Sequence, residues 1–158
     1  DVESLKYEFI RDLVDSWKSS TLIWCHYNDE QDAVAELFGD AANISGDTPH
    51  KRRRELIADF KARKRKSLIS KPKILGFGLN LQVATKQVFS GLQDSYEEYY
   101  QAVKRSNRIG STEPLDVHIP VTELEEPMVA NVLRKAARVQ QDTEEQESLF
   151  KEIGRHEF

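Results

Sequence analysis

Three side chains in the second half of this chain are spaced so that they could do chemistry together. Gln101, Arg105 and Arg108 stand at i, i+4 and i+7. On a helix of 3.6 residues per turn they project within roughly 60° of one another. Tyr96, Tyr99, Tyr100 and Val103 fall on the other side, where helical spacing favours packing over a stacking platform for bases. One face is then bulky and apolar, while the other presents an amide beside two guanidiniums. Planar, forked donors of this kind match the oxygens of a phosphate. For an isolated Arg-x-x-Arg, pairing with surface carboxylates would be the commoner use.

A second stretch runs Ser70-Lys71-Pro72-Lys73-Ile74-Leu75-Gly76-Phe77-Gly78-Leu79-Asn80-Leu81-Gln82. Glycines just after a buried strand let backbone N–H groups approach a ligand closely, often a phosphate, although a lone Gly-x-Gly is more often a tight turn. A third is Leu22-Ile23-Trp24-Cys25-His26-Tyr27, an apolar run that delivers His26, Tyr27 and Asn28 at its end. Ligands of open α/β sheets bind at the carboxyl ends of strands, which makes these residues candidate contacts. For His26, a hydrogen-bonded strand-end histidine is an equally good account. The basic runs at 50–54 and 61–66 could neutralise phosphates or simply solvate a helix. Asp29-Glu30-Gln31-Asp32 imitates a magnesium-binding box but does not follow its strand directly, and no Gly-Lys-Ser/Thr occurs in the chain. Carboxylates favoured in a first helical turn explain it better.

The elements that must position these groups follow from apolar periodicity. Residues 3–18 carry Leu5, Phe9, Leu13 and Trp17 at i+4 spacing, with Ile10 and Val14 beside them, which predicts an amphipathic helix. Strands are expected at 21–27, 42–45, 67–70, 87–89 and 115–121, the apolar ones being of the kind buried on both faces of a parallel sheet. Asn28 should cap a helix with Gln31 as its reciprocal partner, and Gly39 should end it. Pro49 should open the next helix, whose Leu56, Ile57 and Phe60 pack. From about Glu123 onward the pattern is mostly helical. Short apolar strands alternating with amphipathic helices predict an α/β fold with a mostly parallel sheet.

With 158 residues and 39% apolar content, the chain can bury a real core. Its net charge of −4 hides local contrasts and does not by itself argue for nucleic acid. The single cysteine, Cys25, excludes an internal disulfide and a cysteine-rich metal site, and suggests an intracellular setting. No apolar run approaches the ~20 residues of a membrane span. Histidines 26, 50, 118 and 156 lack metal-ligand spacing. The start at Asp1, already in helical pattern, suggests a fragment of something longer.

Taken together, these stretches resemble a known family. Gln101-x-x-x-Arg105-x-x-Arg108-x-Gly110, after a strand and a Gly-rich loop, resembles motif VI of superfamily 2 helicases and translocases. Arg108-Ile109-Gly110 is similar to the Snf-type branch. Gly78-Leu79-Asn80-Leu81 resembles the core of motif V, while Pro72-Lys73-Ile74-Leu75 departs from the commoner Thr-Lys-Ala-Gly-Gly form and is closer to phage-type relatives. Leu22 to Tyr27 resembles motif IV. Ile44-Ser45-Gly46-Asp47, with Arg53 or Arg54 and Phe60, resembles the segment after it. Thr122-Glu123-Leu124-Glu125-Glu126 resembles the Thr-Ile-Glu-Glu that follows motif VI. Lys104 and Ser111 stand where Gly or Asp, and Gln, are usual.

The resemblance implies the second RecA-like lobe of an ATP-dependent DNA helicase or translocase, spanning 1–122, with a helical extension over 123–158. ATP with magnesium would be shared with an N-terminal lobe of the same polypeptide, which supplies the phosphate loop and the metal carboxylates. Arg108, and secondarily Arg105, would act as arginine fingers, with Gln101 orienting them or the γ-phosphate. Gly78 and Asn80 would lie near the nucleotide. His26, Tyr27, Gly46, Ser70 and Lys71 would lie near DNA, with RNA as the open alternative. No membrane is implied, and a bacterial or phage-encoded cytoplasmic protein is expected. The isolated chain should not hydrolyse ATP. The competing reading is a non-catalytic RecA-like module that binds nucleic acid or protein.

Overall fold

The computed structural model describes residues 2–75, 79–92, 96–106, 115–122, 125–142 and 150–157. In chain order the elements are α1 (Val2–Asp15), β1 (Thr21–Trp24), α2 (Asn28–Glu36), β2 (Ala42–Asn43), α3 (His50–Lys61) and β3 (Ser67–Ser70). They continue as α4 (Pro72–Leu75), β4 (Lys86–Phe89), α5 (Tyr96–Lys104), β5 (Leu115–Val121), α6 (Glu126–Asp142) and β6 (Phe150–Glu157). The strands form one sheet in the order β2-β3-β1-β4-β5-β6, and every neighbouring pair is parallel. The five expected strands are all present, flanked by helices in the expected RecA-like α/β arrangement.

Each residue of β1 and of β3 is buried, because helices cover the sheet on both faces. Successive side chains of β1 point to opposite faces. Leu22 and Trp24 join Leu68, Phe60, Tyr99 and Val132 in one cluster, against α3, α5 and α6. Ile23 and Cys25 join Ile10, Val14, Val34 and Val88 in the other, against α1 and α2.

The structure corrects the sequence reading at three places. In α1 the buried row is Lys6, Ile10 and Val14, whereas Leu5 is 58% exposed. Both rows have i+4 spacing, so spacing alone could not choose between them. The choice falls to Lys6, whose stem lies in the core while its ammonium reaches Glu125 at 3.0 Å. At the start of α2, the carboxylate of Glu30 does the capping rather than Asn28 with Gln31. Glu30 Oε1 accepts from the N–H groups of His26 (2.6 Å) and Tyr27 (2.9 Å). Gln31 is instead buried and donates to Asn43 Oδ1 and to the Ile44 carbonyl. Finally, the helical pattern after 123 holds for α6, but 150–157 forms a strand paired with β5. This pairing satisfies backbone groups that an exposed edge of β5 would leave open.

Glu30 also accepts from Ser90 Oγ at 2.9 Å, so one buried carboxylate joins the ends of β1 and β4. Replacing it by Ala leaves those donors unpaired, and we expect Glu30→Ala to cost about 1–3 kcal/mol in urea unfolding. Burial, followed by the nearby Glu30 charge, pushes the Cys25 thiol well above its ordinary pKa. Its reactive thiolate is therefore scarce at about pH 8, and alkylation should proceed only after denaturant is added.

Candidate nucleotide and nucleic-acid interface

The strand-end residues gather along one edge of the sheet, at the carboxyl ends of β1, β2 and β3. His26, Tyr27 and Asn28 follow β1, and Tyr27 is 69% exposed, its ring in edge contact with His26 at 4.4 Å between centroids. Lys71 follows β3 and donates through Nζ to Asn28 Oδ1, joining two neighbouring strand ends. Gly46 follows β2 and is exposed. A Cβ added at Gly46 would lie 3.7 Å from Ile74 Cδ1, so this turn abuts α4. The turn is shaped by Thr48 Oγ1, which accepts from the Ser45 N–H at 3.0 Å. Arg53 donates to the carbonyls of Thr48 (2.8 Å) and Gly46 (3.0 Å) and holds the turn from below.

Ser70 is placed differently from expectation. It is fully buried, and its hydroxyl donates to the Ile44 carbonyl at 2.8 Å. It braces β2 against β3 rather than facing outward, because the last residue of a doubly covered strand still lies inside the sheet. The basic runs likewise divide. Arg65 pairs with Asp59 at 3.1 Å and donates to the Asp40 carbonyl, and Lys66 donates to the Val14 carbonyl at 2.7 Å. His50, Lys51 and Arg54 remain on the exposed side of α3.

The second group centres on α5. Arg105 is only 6% exposed, and its Nη2 donates to Gln101 Oε1 at 3.2 Å, as i, i+4 spacing allows. Among the described residues no carboxylate lies within ion-pair distance of it. Burial draws its pKa below the usual arginine value, the sign expected when a cation loses water without gaining a counter-charge. Gln101 and Arg105 line a cavity of about 590 Å³ between α4 and α5, together with Lys73, Tyr96, Glu97 and Tyr100. Lys73 meets Glu98 at 3.5 Å across α4 and α5.

The expected packing of the tyrosines holds for Tyr99 and in part for Tyr96, which lies half-buried against the core. Tyr99 is buried against Phe89, with centroids 5.3 Å apart. Tyr96 and Tyr100 also stack on each other at 5.8 Å and line the cavity. Asn80 is exposed, and its Oδ1 accepts from the Gln82 N–H at 3.0 Å in a local turn. The next residue, Leu81, is buried and donates its N–H to the Arg105 carbonyl at 2.8 Å. The loop at 79–82 is thus bonded directly to the turn that ends α5. Gly78 and Arg108 lie outside the described residues. His26 and Tyr27 border a separate cavity of about 480 Å³ with Lys6, Tyr7 and Glu30, so the two expected sets line different hollows.

Three positioning residues escaped the sequence reading: Lys6, Glu30 and Gln87. All are buried. The visible signal was a polar residue at an apolar position, most clearly Gln87 ahead of the buried Val88 and Phe89.

Residues 5–110 match the family described as helicase conserved C-terminal domain. In fold, the chain is similar to the C-terminal part of the Fun30 ATPase domain, with a TM-score of 0.71 and 20% identity over 80% of this chain and 45% of that one. It is also similar to the C-terminal domain of the DEAD-box protein Dbp5, with a TM-score of 0.73 and 15% identity over 96% and 83% of the two chains. The chain therefore spans less than half the length of the Fun30 structure. No curated protein sequence matches it significantly. With two thirds of its residues inside the family match, and motifs placed on a parallel sheet as described, the chain belongs to the helicase conserved C-terminal domain family, the second lobe of helicase ATPase cores.

Proposed function

We infer that the chain is the second motor lobe of an ATP-dependent, Snf-type DNA translocase or helicase, contributing half of an ATP site. The observation that carries this reading is the placement of Arg105. It is nearly buried beside Gln101, has no carboxylate partner among the described residues, and lines a cavity large enough for part of a nucleotide. A desolvated guanidinium without a counter-charge is an electrostatic demand that a phosphate meets well. Arg108, one turn onward in the same motif, is the principal arginine finger in this reading, and Gln101 orients the pair. Asn80 and Gly78 border the nucleotide from the neighbouring loop.

ATP with magnesium is held between this lobe and an N-terminal lobe that carries the phosphate loop and the metal carboxylates. The residues described here fit the phosphate end of that ligand. Arg105 and Gln101 supply cationic and amide donors there, beside the Glu97 and Glu98 that also line the cavity, so their contribution is stabilising charge that develops on the γ-phosphate. His26, Tyr27, Gly46 and Lys71 form the DNA-facing edge. Ser70 supports that edge from inside. The Leu81–Arg105 backbone bond links the loop between the two regions to the arginine-bearing turn, a short mechanical route from cleft closure to the tracked strand.

The test is DNA-stimulated ATP hydrolysis by the polypeptide that carries both lobes, comparing wild type with Arg108→Ala. We expect kcat to fall by about a hundredfold or more, with folding and DNA affinity retained. Hydrolysis indifferent to Arg108, or no stimulated hydrolysis at all in the wild type, would overturn the reading and favour a non-catalytic binding module. Lys71→Ala should weaken DNA binding without regard to sequence and lower the salt-dependence slope by about one. An unchanged slope in a titration from low to high salt would remove Lys71 from the DNA edge.

A further inference from the structure

The side chain of Gln87 is fully buried in the middle of β4, a position where doubly covered parallel strands ordinarily carry aliphatic residues. Burying an amide is costly unless its hydrogen bonds are made. Here they all are, and they connect two distant parts of the fold. Gln87 Oε1 accepts from the indole Nε1 of Trp24 in β1 at 3.0 Å. Gln87 Nε2 donates to the Ala102 carbonyl at 3.1 Å and to Ser106 Oγ at 2.9 Å, with a longer contact to the Val103 carbonyl at 3.4 Å.

The orientation of this amide follows from chemistry. An indole nitrogen only donates, so the group facing Trp24 must be the amide oxygen, and the NH2 must point at α5. It meets the last turn of that helix, where carbonyls lack the i+4 partner of the helix interior. Those of Ala102 and Val103 lie just before Arg105 in the chain. Arg105 and Ser106 themselves close the helix with tightened bonds to the Ala102 and Val103 carbonyls, at 3.1 Å each. The turn is therefore held from beneath by Gln87 and from the side by Leu81.

We propose that Gln87 is a positioning residue for hydrolysis, fixing the height and rotation of the turn at the end of α5 that carries Arg105. The proposal rests on the reading of Arg105 as a phosphate-facing group. A displacement of about 1 Å in such a group is enough to cost up to about a hundredfold in rate. Gln87 touches no solvent, so its influence on chemistry passes through the turn it holds.

The experiment is a double-mutant cycle in the polypeptide carrying both lobes, using Gln87→Met, which keeps the volume and removes the donors, and Arg105→Ala. Gln87→Met alone should lower kcat for DNA-stimulated hydrolysis by about ten- to a hundredfold. The KM for ATP and the DNA affinity should stay within about twofold. In the Arg105→Ala background the same substitution should have almost no further effect, because what it misplaces is already gone. A merely structural amide would reduce activity by the same factor in both backgrounds, and that additivity would overturn the proposal, as would an unchanged kcat in Gln87→Met. If Arg105→Ala itself keeps wild-type kcat, the phosphate-facing reading fails and takes this proposal with it. A large Arg105→Ala loss beside a silent or additive Gln87→Met overturns the proposal alone. Should Gln87→Met not fold, Ser106→Ala removes only one acceptor of Nε2 and is scored the same way, with a several-fold fall in kcat that disappears in the Arg105→Ala background.

Discussion

A parallel sheet covered by helices on both faces leaves its strands no exposed surface on which to do chemistry. In this chain every residue of β1 and of β3 is buried, and alternate side chains enter two separate apolar clusters. Candidate groups are consequently displaced to where the strands stop. His26 to Asn28, Gly46 and Lys71 all lie just beyond strand ends, while Gln101 lies on the helix that follows β4 and Arg105 in the turn that ends it. The position of the whole candidate surface is therefore a consequence of how the core is covered.

Strand-end loops are the least constrained parts of such a fold, and this chain restrains them with buried polar side chains. Glu30 gathers the N–H groups of His26 and Tyr27 and the hydroxyl of Ser90. Gln31 and Ser70 both donate to the Ile44 carbonyl, fastening β2 to its neighbours. Gln87 does the same for the end of α5. Each of these groups would destabilise the core if left unpaired, so the bonds they make are kept, and the loops they hold are kept with them. Close approach is part of the arrangement as well. A Cβ on Gly91 would come within 2.3 Å of Glu30 Oε2, so that position must remain bare for the carboxylate to reach its donors.

The two hollows of the lobe differ in electrostatic character. The one between α4 and α5 holds a desolvated arginine beside an amide. The one between α1 and the start of α6 contains the Lys6–Glu125 pair, in which the ammonium is almost entirely buried. The second is lined by Glu3, Glu30 and Glu125 beside Lys6, and the first by Glu97 and Glu98 beside Lys73 and Arg105, with no carboxylate at ion-pair distance from Arg105 among the described residues.

The first five strands with the helices between them, the parallel sheet, the helix carrying Gln101 with the turn to Arg105, and the loop that precedes it were legible in the sequence. All of these depend on short-range signals: apolar runs, helical spacing, and glycine or proline at element boundaries. What escaped were interactions with no local signature. Spacing defined two equivalent rows on α1, and only docking against the sheet selected Lys6, Ile10 and Val14 over Leu5, Phe9 and Leu13. The cap of α2 moved from Asn28 to Glu30 because Glu30 could also reach Ser90, 60 positions along the chain. The amide of Gln87 reads as an anomaly in its strand until Trp24, 63 positions earlier, and the α5 turn are brought against it. A sequence specifies which faces are apolar because that is a property of neighbours. Which buried polar group finds which partner is decided only when distant strands are laid side by side, since only then does the cost of leaving a donor unpaired select one arrangement.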